Sequence, residues 1–171
     1  MVPIVYVFGA LHNVKEHVLA IEKDIKKVKA NIILHDLLYE DVCRNKTDIQ
    51  SRLNTCRHRA ICDPRINKHI YQLGYDIDAK LVGVGNDDPR LHRMPIYRQF
   101  HHKEMRLFRV IKEYVDKDYD KPTVIVIVVD DVHLRSKRAG AITFVSPLHD
   151  YFKRMTNIIV KRVPMGLREM P

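Results

Sequence analysis

Long apolar runs are absent from this chain of 171 residues. No stretch approaches the roughly 20 residues of a membrane span, and the start carries no basic region, apolar signal core or small-residue cleavage site. No membrane association is expected, and a cytoplasmic location is. Cysteine is scarce: Cys43, Cys56 and Cys62 are odd in number and follow neither a CxxC nor a zinc-ribbon spacing. That argues against a disulfide framework and for thiols in a reducing compartment. Only six glycines occur, and none belongs to a GxxxxGK[ST] loop. Nucleotide hydrolysis of the P-loop kind therefore has no support, although Asp130 and Asp131 end an apolar run in the manner of a Walker B strand. Repeats and low-complexity tracts are missing as well.

What is present suits one globular domain over residues 1–171, long enough to bury a core without metal or disulfide staples. The hydrophobic share is 46% and the charged share 30%, both ordinary for such a domain. The formal charge of +9 and a pI near 9.5 admit anionic partners. The basic residues spread over Arg44 to Arg65, Arg90 to Arg109, Arg135 to Arg138 and the last group Lys161, Arg162 and Arg168. Such a spread reads first as a solvated surface; nucleic acid stays open as a partner.

Two apolar runs organise the chain. Val2 to Phe8 is β-branched and aromatic and stops at Gly9, as a buried strand of a parallel sheet does. From Val14 the positions Val14, Val18, Ile21, Ile25 and Val28 recur at helical spacing, and Ala30 to Leu38 supplies the next strand: a βαβ unit. Residues 41–61 are polar and basic, predicting a helix with a loop, or a small cap around 41–62 over the strand ends. Ile66, Ile70, Tyr71 and Leu73 form a helical stripe ended by Gly74, and LVGVG within Tyr75 to Gly85 gives a third strand. After a turn-rich, exposed stretch from Asn86 to Pro95, Ile96 to Lys117 reads as a long helix with Phe100, Met105, Phe108, Ile111 and Val115 on its apolar side. Thr123 to Val129 is the second organising run. A short helix at His149 to Met155 and a strand at Ile158 to Val163 close the order. The alternation predicts a single-domain α/β fold, a mainly parallel sheet with helices on both faces.

In such sheets ligands bind at the carboxyl ends of the strands. Gly9, His12, Asp36 and His133 all fall there, so two histidines far apart in sequence can converge. Two imidazoles and a carboxylate suit zinc, or iron or manganese where coordination positions stay open. A bound ion would bring the pKa of its water to roughly 7 and supply hydroxide for hydrolysis. Glu16 and His17 follow one turn after His12, and Asp130, Asp131 and His101 are further pocket candidates. The spacing of His12, Glu16 and His17 is not HExxH, so zincin chemistry is not indicated. A second reading uses the acids Asp36, Asp63, Asp87, Asp88, Asp130 and Asp131 to hold magnesium for phosphodiester cleavage.

The succession FGALH, ANIILHDLLYE, HHKEM and VIVIVVDDVHLR resembles the superfamily of TraB/PrgY pheromone-shutdown proteins, TIKI metalloproteases, erythromycin esterases and ChaN-like haem-binding proteins. Gly9 and His12 match its first GxxH, His133 its second histidine and Met105 its helix methionine, while Asp36 stands where glutamate is usual. Asp130 replaces the second glycine, and His101 and His102 occupy the places of an arginine and its acid, although Arg98 and Glu104 are nearby. The resemblance implies a metal-dependent hydrolase of peptide or ester bonds, or a relative that kept the fold without the activity. A zinc, manganese or iron ion would sit on His12 and His133, with Asp36 as third ligand or as the base that activates water. Its substrate would be a small molecule or a peptide.

Overall fold

A computed structural model describes residues 1–10, 15–39, 42–56, 64–85, 89–134, 136–139 and 142–161. In chain order the elements are β1 (Ile4–Ala10), α1 (Lys15–Val28), β2 (Ile32–Tyr39), β3 (Val42–Cys43), α2 (Lys46–Cys56), α3 (Pro64–Ile77) and β4 (Lys80–Gly85). Then follow α4 (Ile96–Val115), β5 (Val124–Asp130), β6 (Ser136–Ala139), β7 (Ile142–Val145), α5 (Pro147–Lys153) and β8 (Ile158–Lys161), with single 3-10 turns at Pro89–Arg93 and Asp131–Leu134. The main sheet runs β3-β4-β2-β5-β1-β8. All its pairings are parallel except the two-residue β3 against β4. The α/β fold with helices on both faces is as the alternation predicts.

Period-two side-chain alternation explains both layers. Val5, Val7, Ile32, Leu34, Val82, Val84, Ile125, Ile127 and Val129 face one way, onto Leu107, Ile111 and Val115 of α4 and Leu148 and Phe152 of α5. Phe8, Ala10, Ile33, Leu81, Val126 and Val128 face the other way, onto Ile25 of α1, Ile49 of α2 and Ile70, Tyr71 and Leu73 of α3. The helix expected within residues 41–61 is therefore α2, and its Ile49 belongs to the core; residues 57–62 lie outside the described residues. Cys43 is buried in that same layer.

Several expectations need correction. Gly74 does not end α3, which runs to Ile77; it sits inside because a Cβ there would lie 2.6 Å from Leu81 Cγ, so glycine lets β4 pack close. The helix stops instead at Asp78, whose φ is 57°, with Ala79 N–H bonded to the Gly74 carbonyl at 3.0 Å, a left-handed C-terminal turn. Lys29, at φ 50°, ends α1 in the same region of backbone space. The exposed loop before α4 buries Leu91. Residues 136–139 and 142–145, to which the sequence assigned no element, contribute the antiparallel pair β6 and β7. Among the described residues no helix is long and apolar enough to cross a membrane.

Candidate functional site

The carboxyl ends of β1 and β5 lie level, because these neighbours pair in register through Gly9 with Val129 and Ala10 with Asp130. Asp131–Leu134 turns immediately over that edge. Gly9 has a specific reason to be glycine: a Cβ would stand 2.8 Å from Asp131 Oδ1 and 2.9 Å from Leu134 Cδ1. The missing side chain lets the turn fold down onto β1, and Asp131 is buried there at 1% exposure. It lies under the edge rather than lining an open pocket.

That turn presents His133. Its Nδ1 bonds to Oε1 of Glu104 from α4, a carboxylate only 2% exposed. The other carboxylate oxygen, Oε2, accepts the hydroxyl of Ser146 at 2.6 Å. An ionised carboxylate can only accept, so the proton between the pair belongs on Nδ1 and the lone pair of the neutral ring is on Nε2. Phe100 lies over the imidazole, ring centroids 5.7 Å apart and planes 14° from parallel. Phe100 and Glu104 are four apart on α4 and so share a face. One helix thus fixes both the edge and the plane of the ring.

Asp36 sits where β2 loses register with β4: His35 pairs with Gly83, and Tyr39 with Gly85. Two extra residues on β2 make a bulge, which re-aims side chains at strand ends. Asp36 Oδ2 accepts the N–H of Asp130 at 2.7 Å, joining the ends of β2 and β5. His35 Nδ1 accepts the Leu37 N–H at 3.2 Å and lies 3.6 Å from Asp36 Oδ1.

Of the expected residues, the fold brings Gly9, Asp36, Asp130, Asp131 and His133 to one edge. His12 lies outside the described residues, as do Asp63, Asp87 and Asp88. Glu16 and His17 fall in the first turn of α1, where only the backbone is described. His101 does not line a closed pocket: it is exposed, its ring edge-on to His102, about 100° around the helix from Phe100. Met105 and Phe100 are 37% and 38% exposed, not core. Among the described residues no three His, Cys, Asp or Glu side chains stand together as a ligand set. Of the expected ligands Asp36 has Oδ2 on a backbone N–H and His133 has Nδ1 on Glu104. Asp36 Oδ1 and His133 Nε2 are the atoms these two could turn to an ion, and His12, the third expected ligand, lies outside the described residues.

Ser146 is a functional candidate that the sequence reading passed over, and Glu104 entered it only as an acid near the motif helix, not as a partner of His133. A signal for Glu104 exists: the buried stripe Leu107, Ile111, Val115 of α4, carried back three residues, reaches Glu104. An acid on the core side of an amphipathic helix needs a partner.

No protein-family model matches the chain, and no curated protein matches it. Solved structures do. Two structures of bacterial protein toxins share its fold over 96% of this chain, with TM-scores of 0.56 and 0.55 at 12% and 13% identity. RRSP, a MARTX toxin effector domain from Vibrio vulnificus CMCP6, does so with a TM-score of 0.52 at 11% identity. The chain spans about a third of each of those chains, 34% in every case. At such identities the likeness is one of fold.

Proposed function

We propose that this chain is a hydrolase of peptide or ester bonds in which His133 is the general base. The observation that carries the reading is the Glu104–His133 pair at the carboxyl edge of a parallel sheet. A buried carboxylate on Nδ1 orients the ring, fixes its tautomer and stabilises the imidazolium that forms when Nε2 takes a proton from water. Phe100 restrains the ring plane, so Nε2 is the atom open to substrate. The resemblance to the TraB, TIKI and erythromycin esterase superfamily supplies the bond class. It also implies an alternative use of His133 Nε2, holding a zinc, manganese or iron ion together with His12 and Asp36; an Nε2 that holds an ion takes no proton from water, so the chelator arm of the test separates the two. The toxin structures supply precedent for the fold alone. The magnesium nuclease reading is weaker, because among its described acids Asp36 has Oδ2 on the Asp130 N–H and Asp131 is buried at 1% exposure.

The test is turnover of a panel of fluorogenic esters and peptides by the purified chain, with chelator and with each of the three ions added. His133→Ala should lower turnover by about 10²–10⁴-fold, the usual worth of a general base, and Glu104→Gln by a smaller factor. Turnover that survives His133→Ala, or a wild-type chain inert toward the whole panel under every ion, overturns the reading.

A further inference from the structure

Ser146 stands at the N-cap of α5 with extended backbone angles, φ −62° and ψ 133°, and Pro147 follows in the first helical turn. Serine is favoured at that position because its hydroxyl can accept the orphan N–H groups of the helix start. Here it makes no such bond. Only its carbonyl serves the helix, accepting Asp150 N–H at 3.2 Å. The hydroxyl, in a residue 7% exposed, reaches across 42 positions of sequence to Glu104 Oε2.

The direction of that bond has a consequence for His133. Glu104 has two oxygens and, among the described residues, two hydrogen-bonding neighbours, and Ser146 occupies one oxygen as a donor, leaving Oε1 for Nδ1. A carboxylate held at one end cannot turn about its terminal torsion, which is otherwise broad and nearly two-fold. The position of Ser146 is in turn fixed by packing. Leu148 and Phe152 anchor α5 in the core, Tyr151 donates to Asp116 of the segment after α4, and Phe108 meets Tyr151 edge-on at 5.6 Å.

We propose that Ser146 is a positioning residue for the His133 base. It acts through Glu104, so that the seating of α5 on α4 sets the tautomer of the imidazole. The inference rests on the reading of His133 as base, and its test separates the two. The ¹⁵N spectrum of histidine-labelled protein in alkaline buffer, where the ring is neutral, reports the tautomer directly, with His133 assigned by its loss in His133→Gln. Wild type and Ser146→Thr should hold the proton on Nδ1, whereas Ser146→Ala should give a mixture with substantial Nε2–H form while the far-ultraviolet circular dichroism stays unchanged. A merely structural role for Ser146 would move stability and leave the tautomer alone. If Ser146→Ala keeps the wild-type tautomer while Glu104→Ala, which removes the acceptor from Nδ1, changes it, the positioning role is wrong and the base reading stands. Should Glu104→Ala leave it unchanged too, both fail. A folded Ser146→Thr that behaves like Ser146→Ala also overturns the proposal, since the hydroxyl is then not what matters.

Discussion

Glu104 offers the sharpest comparison, because alanine and glutamine at that position break different numbers of hydrogen bonds. Alanine strips the partner from His133 Nδ1 and from the Ser146 hydroxyl together. Each buried polar group left unsatisfied costs roughly 1–3 kcal/mol, so two at about 1.5 each give about 3 kcal/mol. In a chain of this length, 171 residues, a loss of 1 kcal/mol lowers the melting midpoint by about 2–4 °C. Glu104→Ala should therefore melt about 6–12 °C below wild type. Glutamine keeps the volume and offers one acceptor and one donor. Both neighbours stay bonded if the serine proton rotates or the imidazole changes tautomer, and only the charge assistance is lost, about 1 kcal/mol or 2–4 °C. Calorimetric melts of the three proteins in one buffer decide it. Equal destabilisation by the two substitutions would refute the hydrogen-bond bookkeeping, as would an alanine variant that melts with wild type.

Gly9→Ala should lose about 1–3 kcal/mol in urea unfolding, because the new Cβ meets the buried Asp131 and Leu134; an unchanged midpoint would show that the turn gives way freely. Lys29→Gly should gain about 1 kcal/mol by relieving a left-handed lysine. Asp78→Gly should gain less, since aspartate tolerates that region; a loss at either site contradicts the assignment. Glu22 is held between α1 and α3 by burial that pushes its carboxyl above the ordinary 4.5, against the opposing pull of His69 and Lys26. A raised acid binds its proton more tightly in the folded state, so its contribution is intact below 4.5 and is lost as pH rises through the folded value. Glu22→Gln should accordingly stabilise at neutral pH and bring no gain below 4.5, which urea midpoints at the two pH values will show.

The layered fold was legible because its strands are apolar runs and its helices carry stripes. Residues Val124–Asp130 and Ile4–Ala10 are buried on both faces and need no alternation to be recognised. The pair β6 and β7 was not legible: Ser136–Ala139 reads SKRA, without β-branched or alternating residues. Gly74 was misread because a glycine near the end of a stripe is usually a stop, whereas here its purpose is tertiary, the close approach of Leu81. On α4 the period was right and the phase was wrong. Phe100 and Met105 drew the apolar side toward the surface, although the buried line runs through Glu104, Leu107, Ile111 and Val115. The same slip left Glu104 a mere neighbour of the motif and not the partner of His133. That histidine itself was legible from its place after the strongest strand, whereas Gly9, read as the stop of the first strand, lies inside β1 and makes room for Asp131 and Leu134. Ser146 could not have been found from sequence, since a serine before a proline at a helix start already has a sufficient local explanation.

The most direct measurement of the central claim is the side-chain ¹⁵N spectrum of His133 in the wild-type chain, neutral form, beside that of Glu104→Ala. The wild-type ring should hold its proton on Nδ1, leaving Nε2 free to take a proton from water, and the population should move toward Nε2–H when the carboxylate is removed. A wild-type ring that carries its proton mainly on Nε2 would contradict the claim, because the atom facing substrate would then be a donor and His133 could not be the base.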